Sequence, residues 1–366
     1  MNIFEFHSVG QGLFYSGQID GYRFVYDCGA LSTLRKTPPT TNNEPALFKA
    51  IDQYSNKNEG KYIDLLVVSH LDADHVNGIL ELASRLKIKK VVLPYFMPIL
   101  LRSFVFKAYL LVLGLDRNAY DYFLDGYEKA MSENTETNSD IIFEDTQFFL
   151  YPTKHSEAVE NWQFVFLNNP YNISPTQIQS LEANIVKLLN AYGISDLVEG
   201  FHDFTFISNL KKIFKTIFSY INQTSLVMIH YPLIYRNVYY EFDWFFERKY
   251  LFLRRETEIY PPSVTMLTGD INFDKTGSMA VEVNDEIILS NLSLQVCSLP
   301  HHGSYYNFIS FISCINISNS NLVMNYGLKN IKSKFPDFRT ITEINKIPNR
   351  LIYVYEYSNY IYEIIT

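Results

Sequence analysis

Only three cysteines occur in the 366 residues, Cys28, Cys297 and Cys314. They sit in apolar runs at irregular spacing, which excludes a disulfide framework or a zinc knuckle and predicts buried thiols in a reducing compartment. The amino-terminal Met1–Phe6 alternates like a strand and lacks the basic-then-apolar form of a secretory leader. Long uninterrupted apolar runs are also missing. The most apolar stretch, Phe96 to Leu115, is broken by Pro98, Arg102 and Lys107. That rules against a spanning segment and predicts a core or cap helix. No short-period repeat, P-loop or dinucleotide fingerprint is present. Positive charge is in deficit, 31 Lys and Arg against 39 Asp and Glu for a net −8. The chain as a whole therefore offers no attractive field to nucleic acid, although a local basic groove remains open. A cytoplasmic location is expected.

Aromatic residues, in contrast, are abundant. Hydrophobic residues make up 47% of the chain, with 28 Tyr and 28 Phe. This is enough for a sizeable α/β core, and the surplus rings serve either that core or a cleft rim able to stack bases or sugars. The densest chemical feature is Ser69-His70-Leu71-Asp72-Ala73-Asp74-His75-Val76-Asn77-Gly78. It places two imidazoles and two carboxylates in six positions, directly after the apolar run Leu65–Val68, which reads as a buried strand. Such a set at the end of a rigid strand suits a hydrolytic divalent ion. The plainer alternative is a solvated loop opening a helix, with Asp72 or Asp74 as its N-cap.

Two downstream segments add context. Thr265-Met266-Leu267-Thr268-Gly269-Asp270 is an apolar strand ending in Gly-Asp, and Leu299-Pro300-His301-His302-Gly303-Ser304 follows another strand with a double histidine. Each is weak alone. Together with the first cluster they give three strand ends bearing only oxygen and nitrogen ligands.

The sequence resembles the metallo-β-lactamase-fold hydrolases, specifically the branch typified by the hydrolase domain of the competence (DNA-uptake) channel protein. His70, Asp72, Asp74 and His75 reproduce that branch's His-x-Asp-x-Asp-His signature. Val9-Gly10-Gln11-Gly12 matches its Val-Gly-Gln-Gly element, Asp27-Cys28-Gly29 its Asp-x-Gly strand end, and Asn222–Val227 is similar to its Asn-x-x-Ser-Leu-Val strand. The likeness covers residues 1–95 and 220–330. It implies an α/β fold, an αββα sandwich formed as one domain over 1–366, with 96–220 as a helical insertion within it.

The resemblance also implies roles. His70 and Asp72 would face a first metal, Asp74 and His75 a second, with Asp270 bridging; Asp74 and His75 are the expected catalytic side chains. His301 or His302 would supply a late ligand, and His302 is favoured on resemblance alone. Asp27 would orient a ligand histidine from behind. One or two divalent ions are expected, zinc or manganese, since Asp72 stands where a histidine is commoner and hardens the pocket. His230 is read as a hydrogen-bonded structural residue rather than a ligand, and His155 and His202 as weaker candidates. The branch's Gly-His-Pro is absent; the nearest match is Lys334-Phe335-Pro336.

Along the chain, strands are predicted at Ile3–Ser8, Gly12–Gly17, Arg23–Asp27, Leu65–Ser69 and Val91–Pro94, and helices at Pro45–Tyr54, Val76–Arg85, within 100–130, from Ser174-Pro175 to Gly193 and over Leu210–Tyr220. Loops are expected at Thr37–Asn43 and Ser132–Asp140. A second strand-rich half runs from Ser225 to about Leu299, with further β structure at Ile315–Asn325 and Leu351–Ile364. The leading function is a metal-dependent hydrolase using a metal-activated water, a phosphodiesterase or nuclease with a phosphodiester substrate that includes single-stranded nucleic acid. Two alternatives stand beside it. One is a metal-stabilised interaction module that binds a protein partner through 96–220. The other is a hydrolase of lactones, thioesters or lactams.

Overall fold

The computed structural model describes residues 2–31, 45–132, 146–168, 173–218, 225–233, 237–243, 255–259, 263–273, 278–289, 292–327 and 336–365. In the first sheet, strands Asn2–Phe6, Phe14–Ile19, Tyr22–Cys28, Leu65–Val67, Lys90–Leu93 and Gln147–Leu150 lie side by side in that order. Tyr360–Ile365, Asn237–Asp243 and Arg255–Ile259 extend it on the other flank. In the second sheet the order is Arg350–Val354, Asn321–Asn325, Ser293–Ser298, Ser263–Leu267, Leu226–Pro232, Trp162–Asn168 and His155–Val159.

The inner faces of both sheets alternate large apolar residues, and these interdigitate into one core. Phe4, Phe6, Tyr15, Phe24, Tyr26, Tyr360 and Tyr362 of the first sheet meet Trp162, Phe164 and Phe166 of the second there, all but completely buried. Much of the aromatic surplus thus goes into the space between the sheets, each ring contributing about 1.5–3 kcal/mol by leaving water. His230 sits inside this core. The Trp162 Nε1–H donates to His230 Nδ1 at 3.2 Å, so the ring proton lies on Nε2, which is 2.8 Å from the Tyr15 hydroxyl. Burial lowers its pKa to about 3, and the neutral ring is a structural hub far from any carboxylate cluster.

Helices cover the outer faces. Ala46–Lys57, Ile79–Arg85, Phe104–Val112, Arg117–Met131, Pro175–Tyr192 and Phe204–Lys215 pack on the first sheet. Ser278–Leu289, Tyr305–Cys314 and Phe338–Ile344 pack on the second. The layers therefore run helix, sheet, sheet, helix. Local sequence explains several boundaries. Ser174 caps Pro175–Tyr192 through a full capping box with Gln177, and Gly193 ends it at φ 62°, a left-handed stop that favours glycine.

Some expectations change. The stretch 96–220 is helical over Pro98–Met131 and Pro175–Lys215 but also supplies strands. Gln147–Leu150 pairs with Lys90–Leu93, and Trp162–Asn168 pairs with Leu226–Pro232, so these belong to the sandwich itself. The helix expected at Leu210–Tyr220 begins earlier, at Phe204, because the Asp203 carboxylate caps Thr205 and Phe206. Within Ile315–Asn325 only Asn321–Asn325 is a strand, and Ile315 ends the helix before it. The helix predicted over Val76–Arg85 is two pieces, Ala73–Val76 and Ile79–Arg85, separated at Asn77-Gly78. The loop expected at Thr37–Asn43, all but the first residue of the one at Ser132–Asp140, and Lys334-Phe335 lie outside the described residues.

What matters for function is strand direction. Tyr22–Cys28 runs parallel to Leu65–Val67, and Ser263–Leu267, Ser293–Ser298 and Asn321–Asn325 run parallel to one another. Their carboxyl ends deliver Asp27, His70, Asp270, the His301-His302 pair and Asn325, the usual place for a ligand site in an α/β protein. The sheets are pinned together at that end. Leu226 N–H donates to Ser69 O at 2.7 Å, and the Tyr26 hydroxyl lies 2.7 Å from Leu226 O.

Candidate metal centre

The centre is built outward from Asp27. This carboxylate is fully buried and accepts three hydrogen bonds: Ser69 N–H at 2.7 Å, Ser69 Oγ–H at 2.6 Å and His75 Nδ1–H at 2.7 Å. Because the Ser69 hydroxyl spends its one proton on Asp27, it meets His70 Nδ1, 2.9 Å away, with a lone pair. His70 Nδ1 must then carry the proton. One carboxylate and one serine thus set both histidines to the same tautomer, leaving each Nε2 as a bare lone pair. Gly29, the last residue of the Asp-x-Gly motif, makes room for this. A Cβ there would lie 2.5 Å from the His75 carbonyl carbon.

Among the described residues those lone pairs have nothing to bind. His70 Nε2, His75 Nε2 and Asp270 Oδ1 are all buried without a hydrogen-bond partner. Leaving buried polar atoms orphaned costs about 1–3 kcal/mol each, so three together at one point are a strong sign of a missing partner. His75 Nε2 lies 3.3 Å from Asp270 Oδ1, and His70 Nε2 lies 3.7 Å from Asp270 Oδ2. Repulsion between lone pairs at such range is relieved by a cation.

The ligand atoms fall into two overlapping groups, His70, His75 and Asp270, and Asp74, His75 and His302, each within 4.8 Å. Asp270 faces both ways. Its Oδ2 is 3.2 Å from His301 Nδ1 on the His70 side, while its Oδ1 is 3.8 Å from His302 Nε2 on the His75 side. His302 Nε2 also lies 3.2 Å from Asp74 Oδ2. Asp72 occupies the N-cap position of Ala73–Val76, yet its side chain makes no capping bond; its Oδ2 is 3.9 Å from His70 Nε2. The capping alternative raised by the sequence thus does not describe Asp72. An all-nitrogen-and-oxygen donor set with three carboxylates at hand fits a divalent ion of the zinc or manganese kind.

Electrostatics agree with this fit. Burial, aided by the neighbouring His75 ring, lowers the His70 imidazole to about 3 and keeps it neutral, as a ligand requires. Burial opposes charge on His75 and His302, but the Asp270 carboxylate outweighs it, with Asp27 for His75 and Asp74 for His302, and both are raised. The carboxylates thus favour positive charge at these two rings, which a divalent ion bound at Nε2 would supply.

Two features lie beyond what spacing suggested. Alternation along a strand implies that only one of His301 and His302 faces the site. Both face Asp270, because they lie in a tight turn with φ of 49° and 51° rather than in extended backbone. Consecutive non-glycine residues in the left-handed region are strained, and such strain clusters at functional sites. Gly269 permits the turn's approach. At φ 55° it accepts His301 N–H at 3.2 Å, and a Cβ on it would meet Ser69 at 2.8 Å. Ser69 and Asn325 are the participants that sequence reasoning passed over. His230, His155 and His202 stand apart from both ligand groups.

The exposures separate the two late histidines, His302 at 4% and His301 at 33%. His302→Ala should therefore lower metal affinity about 100-fold, and His301→Ala by about tenfold or less. Chelator-competition titrations of the two variants check this; equal losses contradict it.

Helix–sheet–sheet–helix layering, with aspartate and histidine loops at the carboxyl ends of the parallel strands, defines the architecture. It is the metallo-β-lactamase fold. No protein-family model matches the chain, and no curated protein matches it either. Solved structures do align with it. One is the metallo-β-lactamase fold protein YhfI from Bacillus subtilis, 8% identical, with 99% of this chain and 100% of that one covered at a TM-score of 0.44. Another is unliganded yeast PDE1, 10% identical, covering 98% and 99% at a TM-score of 0.42. A long form of RNase Z from yeast is 9% identical, covering 88% of this chain and 36% of its own at a TM-score of 0.35. Among the described residues no helix is long and apolar enough to cross a membrane.

Proposed function

We propose that this protein is a metal-dependent hydrolase that cleaves phosphodiesters. The observation carrying the proposal is the convergence of three orphaned buried ligand atoms, His70 Nε2, His75 Nε2 and Asp270 Oδ1. A scaffold role alone has no use for so many desolvated polar groups. On this reading His70, Asp72, His301 and Asp270 would hold one divalent ion, and Asp74, His75 and His302, with Asp270 shared, would hold a second. Such ions acidify water to near-neutral pKa and steady the leaving oxygen of a displacement.

The protein's own part is positional. Asp27 and Ser69 keep the protons of His70 and His75 on Nδ1, away from the reacting space. Leu13 and Leu299 line the cavity beside His75, Asp270 and His302 and limit bulk water. Asp74, at 14% exposure, is more open than Asp270 at 4%, which suits it to the acid–base role on this reading. The phosphodiester preference rests on the carboxylate-rich donor set, which suits ions that favour phosphate oxygens, and on the sequence resemblance to a DNA-uptake hydrolase.

Purified protein assayed on bis(p-nitrophenyl) phosphate and single-stranded DNA across a metal panel should show turnover stimulated by manganese or zinc. Asp74→Ala should reduce it by about 100-fold or more. Intact phosphodiesters alongside hydrolysis of a lactone or thioester would move the chain to another chemistry of this fold. Metal-loaded protein inert on every ester class would leave the interaction module as the better account.

A further inference from the structure

Asn325 ends the strand Asn321–Asn325, next to the strand whose turn carries His302. It is 5% exposed and lines the same small cavity as His75, Asp270 and His302. Its Nδ2 is buried with no hydrogen-bond partner among the described residues. The other orphaned atoms at this centre, two imidazole nitrogens and a carboxylate oxygen, are acceptors and call for a cation. Asn325 Nδ2 is a donor. It cannot bind a cation and calls for an acceptor, so the cavity has two unmet demands of opposite kind. A buried amide donor without a partner costs about as much as a lost hydrogen bond, and it persists where a ligand supplies the acceptor.

We propose that Asn325 donates from Nδ2 to a non-bridging oxygen of the substrate's phosphoryl group, and that this bond tightens as negative charge builds on that oxygen. The inference rests on the phosphodiesterase reading and adds to it a donor contributed by the second sheet. Asn325 makes and breaks no covalent bond and transfers no proton, so its contribution is constant with pH. It also supplies, from a neutral amide, an electrophilic contact in a chain that lacks the Gly-His-Pro histidine of the branch it resembles.

The test uses manganese-loaded full-length protein and the variants Asn325→Ala and Asn325→Asp, with thermal melts and elemental analysis as controls. Asn325→Asp preserves the side-chain volume, so it reports even if Asn325→Ala folds poorly. Both variants should keep the wild-type metal content. Asn325→Ala should lower kcat on bis(p-nitrophenyl) phosphate by roughly 10²–10³-fold, with an unchanged pH profile. Calorimetric titration with inorganic phosphate should show binding weakened by about 10- to 100-fold in Asn325→Ala. In Asn325→Asp the loss should be greater still, because a carboxylate repels the anion. Wild-type affinity for phosphate in Asn325→Ala overturns the proposal, as does wild-type protein that binds no phosphate. So does an Asn325→Asp variant that stays active while Asn325→Ala sheds metal, since that would make the residue a metal ligand through oxygen. Asn325-dependent phosphate binding without any phosphodiester cleavage supports the donor and overturns only the functional reading.

Discussion

Asp270→Ala should reduce hydrolysis by at least about 10³-fold, on the order of 4 kcal/mol of transition-state stabilisation. The size follows from the position of one carboxylate between two ligand groups. Its Oδ1 lies 3.3 Å from His75 Nε2, and its Oδ2 lies 3.7 Å from His70 Nε2 and 3.2 Å from His301 Nδ1. Removing it withdraws a negative charge from both sides of the centre and leaves buried imidazoles facing each other. Asp270→Asn keeps the shape but not the charge, and its amide would present a donor to one side. It should therefore lose nearly as much activity. Steady-state kinetics at saturating metal measure the effect, and a loss below tenfold for Asp270→Ala would mean that this carboxylate is not shared by the reacting centre.

The second large effect is expected at Asp27, which touches neither ion in the proposed arrangement. Asp27→Ala should destabilise the fold by about 3–5 kcal/mol, because it strands Ser69 and His75 donors in a fully buried site. Burial pushes the Asp27 carboxyl above its ordinary range, and the contacts with His75 and Ser69 oppose that shift without cancelling it, so the group depends on these partners. Asp27→Asn keeps the volume and should still lower metal affinity about 10- to 100-fold, since the His70 and His75 tautomers are no longer fixed. Ser69→Ala should affect His70 without releasing His75, giving a smaller loss. Denaturant melts and metal-competition titrations report the two consequences separately. Wild-type metal affinity in Asp27→Asn would show that tautomer control is not what this residue does.

Much of the site was legible in the sequence because its chemistry is concentrated at strand ends. His70, Asp74 and His75 sit beside an apolar strand, and Gly269-Asp270 and His301-His302 each follow another, so patterning singled out three strand ends and the family resemblance joined them at one centre. Asp27 was expected from the resemblance as an orienting carboxylate, and its carboxylate accepts from His75 Nδ1–H. Ser69 was not, since a serine before a histidine carries no signal until its hydroxyl is seen shared between Asp27 and His70. Asn325 was hidden for a similar reason: its importance lies in an unpaired amide, which only packing reveals.

The fold was legible where periodicity was clean, as in Tyr22–Cys28 and the helix Pro175–Tyr192. Between residues 146 and 168 it was not. Gln147–Leu150 is four residues long, and the edge strand His155–Val159 alternates polar with small side chains, a pattern too weak to separate from loop. The His301-His302 turn failed in another way. A rule for extended backbone was applied to residues that adopt left-handed φ, and both rings point where alternation allows only one.

The central claim is that a buried histidine–aspartate cluster at the meeting edge of two sheets holds divalent ions through a shared Asp270. Its most direct test is elemental analysis of the purified protein after loading and desalting, beside Asp270→Ala treated identically. The account predicts one to two tightly held divalent ions per chain in the wild type, and loss of most of that metal in the variant. A wild-type protein that retains no metal, or an Asp270→Ala variant at full occupancy, would contradict it.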